Sequence, residues 1–175
     1  MFKKQIVTML VAAVFAAPVF AQEEGHGEAT AAHGENYVGV SVSSLTAAPS
    51  STGAAIIFGH RYSEHLAVDV AYEDSSALSN ITEKTTAFSV AAVGIVPFNA
   101  GFEGYVRLGY ASAHTRDDTG ASANHGDITY GLGVEYRMNE KYSVGFGFDH
   151  VRVGDNVVIP RADENSYALT LIRSF

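Results

Sequence analysis

The 175-residue chain has no cysteine, no tryptophan, only 4 prolines and few cations, 11 lysines and arginines against 19 acids. Without cysteine there is no disulfide framework, no cysteine-ligated zinc module and no thiol nucleophile. With a deficit of positive charge the chain cannot neutralise a run of phosphates, so nucleic acid is not an expected partner. No apolar run after Ala21 is long enough for a transmembrane helix, and no helix-forming stretch of any length stands out there. What the sequence does hold is 17 glycines, 9 tyrosines, 10 phenylalanines and 47% apolar residues, enough for one domain with a short tail.

The chain opens like a secretory signal. Met1-Phe2-Lys3-Lys4 is a basic start, residues 6–17 are an apolar run too short to span a bilayer, and Val19-Phe20-Ala21 offers a cleavage site. Residues 1–21 are therefore predicted to be removed after Ala21, and a retained anchor is the poorer reading because the run ends at Pro18. Loss of Lys3 and Lys4 makes the remainder more acidic still. Residues 22–35 read as a flexible tail carrying a small repeat, His26-Gly27-Glu28 and His33-Gly34-Glu35. Imidazole beside carboxylate could hold Zn²⁺ or Cu²⁺ weakly through His26 and His33, but a solvated leader is the preferred reading. No metal and no cofactor are expected.

From Asn36 onward the period is two. Val38, Val40 and Val42 alternate with Gly39, Ser41 and Ser43, and Leu66, Val68, Val70 and Tyr72 with Ala67, Asp69, Ala71 and Glu73. The same alternation runs through residues 102–111, 130–136, 142–149 and 167–175. Residues 54–62 and 86–96 complete eight strands, the fourth apolar on both faces and so poorly specified in register. Tight turns at residues 63–65, 97–101 and 139–141 alternate with longer polar connections at 44–53, 74–84, 112–127 and 153–165. Hairpins on one rim and long loops on the other predict an all-β, eight-stranded antiparallel up-and-down barrel over residues 36–175.

A soluble lipocalin-like barrel would turn its apolar face inward, and a membrane barrel would turn it to lipid. The polar face decides for lipid: Gly39, Ser41, Ala67, Ala71, Gly109, Ala111, Gly131, Gly133, Ser143, Gly145 and Gly147 suit a cramped interior, whereas a water-facing sheet would carry Lys, Glu and Thr. The aromatics of the apolar face also sort into two girdles. Tyr62, Phe102, Tyr136, Tyr142 and Phe175 fall near the tight turns, and Tyr72, Phe88, Tyr110, Tyr130, Phe148 and Tyr167 near the long loops. Their separation of about 15 to 20 Å is somewhat short of the roughly 25 Å band expected of such barrels.

The segments Leu66-Ala67-Val68-Asp69-Val70-Ala71-Tyr72, Gly104-Tyr105-Val106-Arg107-Leu108-Gly109-Tyr110 and Gly131-Leu132-Gly133-Val134-Glu135-Tyr136, with the ending Tyr167-Ala168-Leu169-Thr170-Leu171-Ile172-Arg173-Ser174-Phe175, resemble the outer membrane protein A and opacity-protein superfamily of Gram-negative bacteria. The resemblance implies residence in the outer membrane among its lipids and lipopolysaccharide. It also implies insertion by that membrane's assembly machinery, which would read Tyr167, Leu169, Leu171 and the terminal Phe175; Arg173 departs from the apolar pattern. The peptidoglycan-binding domain of larger members is not expected. A charged cluster crosses the lumen in that family, and Asp69, Arg107 and Glu135 match its positions, while Gly145 stands where an arginine can occur.

Parity alone turns Arg61, Asp69, Glu73, Glu103, Arg107, Glu135, Arg137 and Asp149 inward. The preferred reading is a structural ion-pair network, with Arg107 aimed at Asp69 and Glu135; a narrow proton or ion path is the alternative, with little room in eight strands. Lipid-modifying enzymes share such barrels and need a His with a Ser and an acid at one rim. Ser112, His114 and Asp117 make such a trio at the loop rim beside His125 and His150, but His150 is followed by Val151 and Arg152, without the Ser two residues on that the deacylases carry. Catalysis is therefore not expected. Asp117, Asp118 and Asp127 could take divalent cations bridging lipopolysaccharide, Asn80-Ile81-Thr82 is a chance sequon, and the protein is expected to be a monomer whose loops contact a surface ligand.

Overall fold

A computed structural model of the chain describes residues 34–45, 52–74, 84–98, 100–116, 122–153 and 162–175. The leader, His26, His33, the sequon, Asp117 and Asp118 lie outside the described residues. The described residues form β1 (Glu35–Leu45), β2 (Thr52–Ser63), β3 (Leu66–Asp74), β4 (Lys84–Pro97), β5 (Phe102–Arg116), β6 (Ser122–Arg137), β7 (Tyr142–Val153) and β8 (Ala162–Ser174). Each pairs antiparallel with the next, and β8 returns to β1 to close an eight-stranded barrel. The last residue is stitched into that seam: the Phe175 amide donates to the Asn36 carbonyl at 2.9 Å, and the Asn36 amide donates to the Phe175 carbonyl at 3.2 Å. Closure gives every strand two neighbours, the condition for backbone to cross a hydrocarbon layer.

The barrel's polarity is inside out. Its buried residues are mostly small or polar, Ala67, Ala91, Ala111, Ser41, Ser43 and Ser143, together with Arg61 and Asp69 at 5% and 6% exposure, and only Val38, Ile57 and Val93 among the buried residues described are larger apolar ones. Its exposed residues are large and apolar, led by Leu108 at 63% and Val106 at 60%. A water-soluble barrel buries the second set and exposes the first, so the soluble alternative fails on burial. The doubly apolar β4 takes one register: Ala91 and Val93 are buried inside, and Phe88, Val90 and Val96 are exposed outside.

Register also assembles the girdles. Tyr72 stands opposite Phe88, and Phe148 opposite Tyr167 with ring centroids 5.5 Å apart. At the other rim Phe102 meets Tyr136 at 4.7 Å. Tyr62, Tyr110, Tyr130 and Phe175 are exposed, while Tyr142 and Phe148 are half-buried. Phe58 and Phe146 are exposed between the belts, and Phe98 beyond the lower one. On β6 and the residue that follows it the outward face stays apolar from Ile128 to Met138, both exposed, about 25 Å along a tilted strand, so the band reaches full width once these flanking residues are counted.

Several boundaries differ from the sequence reading. β1 begins at Glu35, one residue earlier, because Glu35 still pairs with Arg61. β1 and β2 shorten the first long connection, and β8 starts at Ala162 inside the expected fourth one. The largest difference is the third, where β5 and β6 continue in register to Arg116 and Ser122. Above Tyr110 their outward face turns to Ser112, His114, Arg116, Asn124 and Gly126. With both faces polar or small, the alternation that marks a strand disappears from the sequence although the hydrogen-bond ladder continues.

Candidate functional site in the barrel interior

All eight charged residues assigned inward by parity lie on the inner face, seven of them in two groups and Glu73 apart from both. At the tight-turn end Arg61 grips Glu103 with both arms, Nη1 to Oε2 at 2.9 Å and Nη2 to Oε1 at 3.1 Å. Its Nε donates to the Ser63 carbonyl and Nη2 donates also to the Glu64 carbonyl, where the β2–β3 register shifts, so the turn itself orients the guanidinium. Arg137 reaches the same Glu103 at 3.5 Å. Bidentate pairing with satisfied remaining donors is the arrangement that makes a sequestered ion pair tolerable.

The second group sits mid-barrel. Arg107 pairs through Nε with Asp69 at 3.4 Å and through Nη1 with Asp149 at 3.6 Å. The Tyr37 hydroxyl donates to the other oxygen of Asp69. The expected partner Glu135 is not there: it lies in the tight-turn group, opposite Glu103 in register, and accepts from Ser143. The reason is height along the strands. Arg107 faces Gly131 on β6, four residues and two inward positions above Glu135, and Gly131 leaves room for Asp149 of β7 to reach in behind it. Nearer the long-loop end Glu73 accepts from the Ser43 hydroxyl at 2.6 Å.

Three inner residues were missed by counting charges within the expected strands. Tyr37 and Tyr105 are the inward tyrosines, and Glu35 stands at the mouth. Tyr37 covers Gly59 so closely that a β-carbon there would overlap its ring, and Tyr105 covers Gly133 and Gly147 in the same way. An aromatic at small-residue parity, facing glycines on neighbouring strands, was the signal that could have found them. Glu35 was hidden by placing it in the tail.

These side chains divide the interior into two cavities. One of about 80 Å³ occupies the tight-turn half, among Glu35, Arg61, Glu103, Glu135, Arg137 and Ile172. One of about 90 Å³ occupies the long-loop half, among Ser43, Glu73, Ser89, Asp149 and Ser166. Tyr105 and Arg107 line both, so the mid-barrel group is the partition.

The remaining site residues, Asp127 apart, lie on the outer wall. Tyr167 and Leu169 of the terminal strand are exposed with Phe175, and Leu171 is half-buried among them. Ser112 and His114 are on the outside of β5, and His114 bonds Asn124 across the ladder at 2.6 Å. His150 bonds Asn165 at 2.8 Å and stacks on Tyr130. Asp127, expected in a loop, is instead part of β6 and sits at an inner-face position, paired with the buried Ala111. Among the described residues no group of three His, Asp or Glu is arranged to hold a metal.

In overall shape the barrel is similar to Neisserial surface protein A (TM-score 0.65, 12% identity, 81% of this chain and 97% of that one). It is also similar to the N-terminal barrel domain of Pseudomonas aeruginosa OprF (TM-score 0.63, 15% identity, 82% and 100%). The outer membrane enzyme PagL shares the fold as well (TM-score 0.51, 14% identity, 78% and 97%). At such identities the likeness is one of fold, and the fold is common to barrels with and without catalysis. No curated protein matches the chain in sequence. Residues 7–175, nearly the whole sequence, match the model of the outer membrane protein beta-barrel domain, and the chain belongs to that family.

Proposed function

We propose that the protein is exported by its leader to the outer membrane of a Gram-negative bacterium and acts there as a closed, non-catalytic barrel that supports the envelope and presents its long loops to lipopolysaccharide or an external surface. The observation that carries this reading is the partition at Arg107: a lumen crossed by Arg107 with Asp69, Asp149 and two tyrosines is built to be filled rather than to conduct. Against catalysis stands the use of two of the rim histidines, since His114 and His150 each bond an asparagine on the outer wall rather than activating a hydroxyl in a pocket.

A narrow pore is the second reading, favoured by the fact that the two cavities share Arg107 and Tyr105, with Ile57 and Thr170, so that a single layer of side chains separates them. Recording from the purified barrel in a planar bilayer distinguishes the two. The closed-barrel reading predicts a silent membrane; discrete, reproducible openings that change in conductance with Arg107→Ala would replace it with the pore.

A further inference from the structure

The cavity at the tight-turn end is one cation short, and the shortfall has a location. Glu35, Asp69, Glu103 and Glu135 face it, against Arg61, Arg107 and Arg137. Arg61 and Arg137 are both drawn to Glu103, and Arg107 is divided between Asp69 and Asp149. Glu135 stands directly across the ladder from Glu103, a like-charged neighbour, and among the described residues no cation lies within ion-pair distance of it. Its other cross-strand neighbour is Gly145, where a β-carbon would meet nothing closer than the Val134 carbonyl at 3.6 Å, so the wall beside the carboxylate is a notch. Val93, Ile95 and Ile172 give the same cavity an apolar side.

From this geometry we infer that the cavity is a binding site for a small organic cation, an ammonium or guanidinium group on a few heavy atoms, seated in the Gly145 notch against Glu135 with its carbon side toward Val93, Ile95 and Ile172. Beyond the one hydrogen bond from Ser143, a nitrogen cation supplies further donors and a contact charge to the carboxylate, and the apolar wall favours an organic cation over a strongly hydrated metal ion. The volume of about 80 Å³ limits the occupant to a few heavy atoms. The site goes beyond the closed-barrel reading, because binding in this compartment requires no passage across the partition.

The test is a titration of the whole folded barrel in detergent micelles, at constant ionic strength, with methylammonium, guanidinium and tetramethylammonium chlorides at millimolar concentration and sodium chloride as reference, read by the amide resonances of Gly145 and its neighbours. The expected result is saturable shifts with methylammonium and guanidinium, and none with sodium or the bulkier tetramethylammonium. Glu135→Gln, nearly isosteric, should weaken binding about tenfold or more. Gly145→Leu should abolish it by filling the notch, with heat-dependent gel migration showing that each variant is folded. Equal response to sodium, unchanged affinity in Glu135→Gln, or shifts confined to the outer wall would overturn the site.

Discussion

At the scale of single residues, the interior is governed by what each side chain leaves for its neighbour. Arg107 is held by two aspartates, so Arg107→Ala should destabilise the barrel by about 3 to 5 kcal/mol, the cost typical of leaving buried charges uncompensated. Arg116→Ala, at an exposed position on β5, should change stability by no more than about 0.5 kcal/mol. Asp69→Asn with Asp149→Asn in the Arg107→Ala background should recover part of the loss, because the unpaired charges go with them. Urea titration of the folded barrel measures all three, and a silent Arg107→Ala would mean a hydrated, open lumen. Glycines give a second comparison. Gly59→Ala forces a methyl into the Tyr37 ring and should cost about 1 to 3 kcal/mol, whereas Gly145→Ala meets only ordinary contacts, the Val134 carbonyl at 3.6 Å and the Thr170 β-carbon at 4.0 Å, and should be neutral to within about 0.5 kcal/mol; equal losses in the same titration would contradict the packing described for Tyr37. Parity made the inward charges legible, but not their partners: Asp149 rather than Glu135 meets Arg107 because strand stagger sets heights, and stagger leaves no mark in the alternation of any one strand.

At the scale of elements, β8 carries the closure. Its ladder with β1 runs from Tyr37↔Ser174 to Leu45↔Ser166, and Phe175 completes it with a reciprocal pair of backbone hydrogen bonds to Asn36. Deleting Phe175 removes both bonds at the seam and an exposed aromatic from the tight-turn belt. Export should continue while outer-membrane insertion falls, measured by fractionation of cells expressing the truncated chain; unchanged insertion would show that the ending is not the assembly signal. Strands such as β3 and β7, apolar on one face and small or charged on the other, were legible because their two faces meet different surroundings along nearly their whole length. The upper parts of β5 and β6 were not, since above Tyr110 both faces are polar or small and paired rungs such as His114 with Asn124 sustain a ladder that carries no hydrophobic period.

At the scale of the molecule, one inversion accounts for the architecture: charges and small residues fill the middle, and leucine, valine and aromatics cover the outside. Such a surface is stable only against hydrocarbon, and a closed ladder is the form of sheet that hydrocarbon accepts. Fold class was therefore readable from the identity of the polar face, Gly, Ala and Ser rather than Lys and Glu, before any contact was known. Function was less so, because outer-membrane barrels of this shape carry different activities and loop ligands follow no transferable code. The most direct test of the central claim is cell fractionation followed by gel migration with and without boiling. The account predicts recovery in the outer membrane and a folded band that shifts only on heating, as a closed barrel resists detergent. Recovery as soluble protein, with migration indifferent to heat, would contradict it.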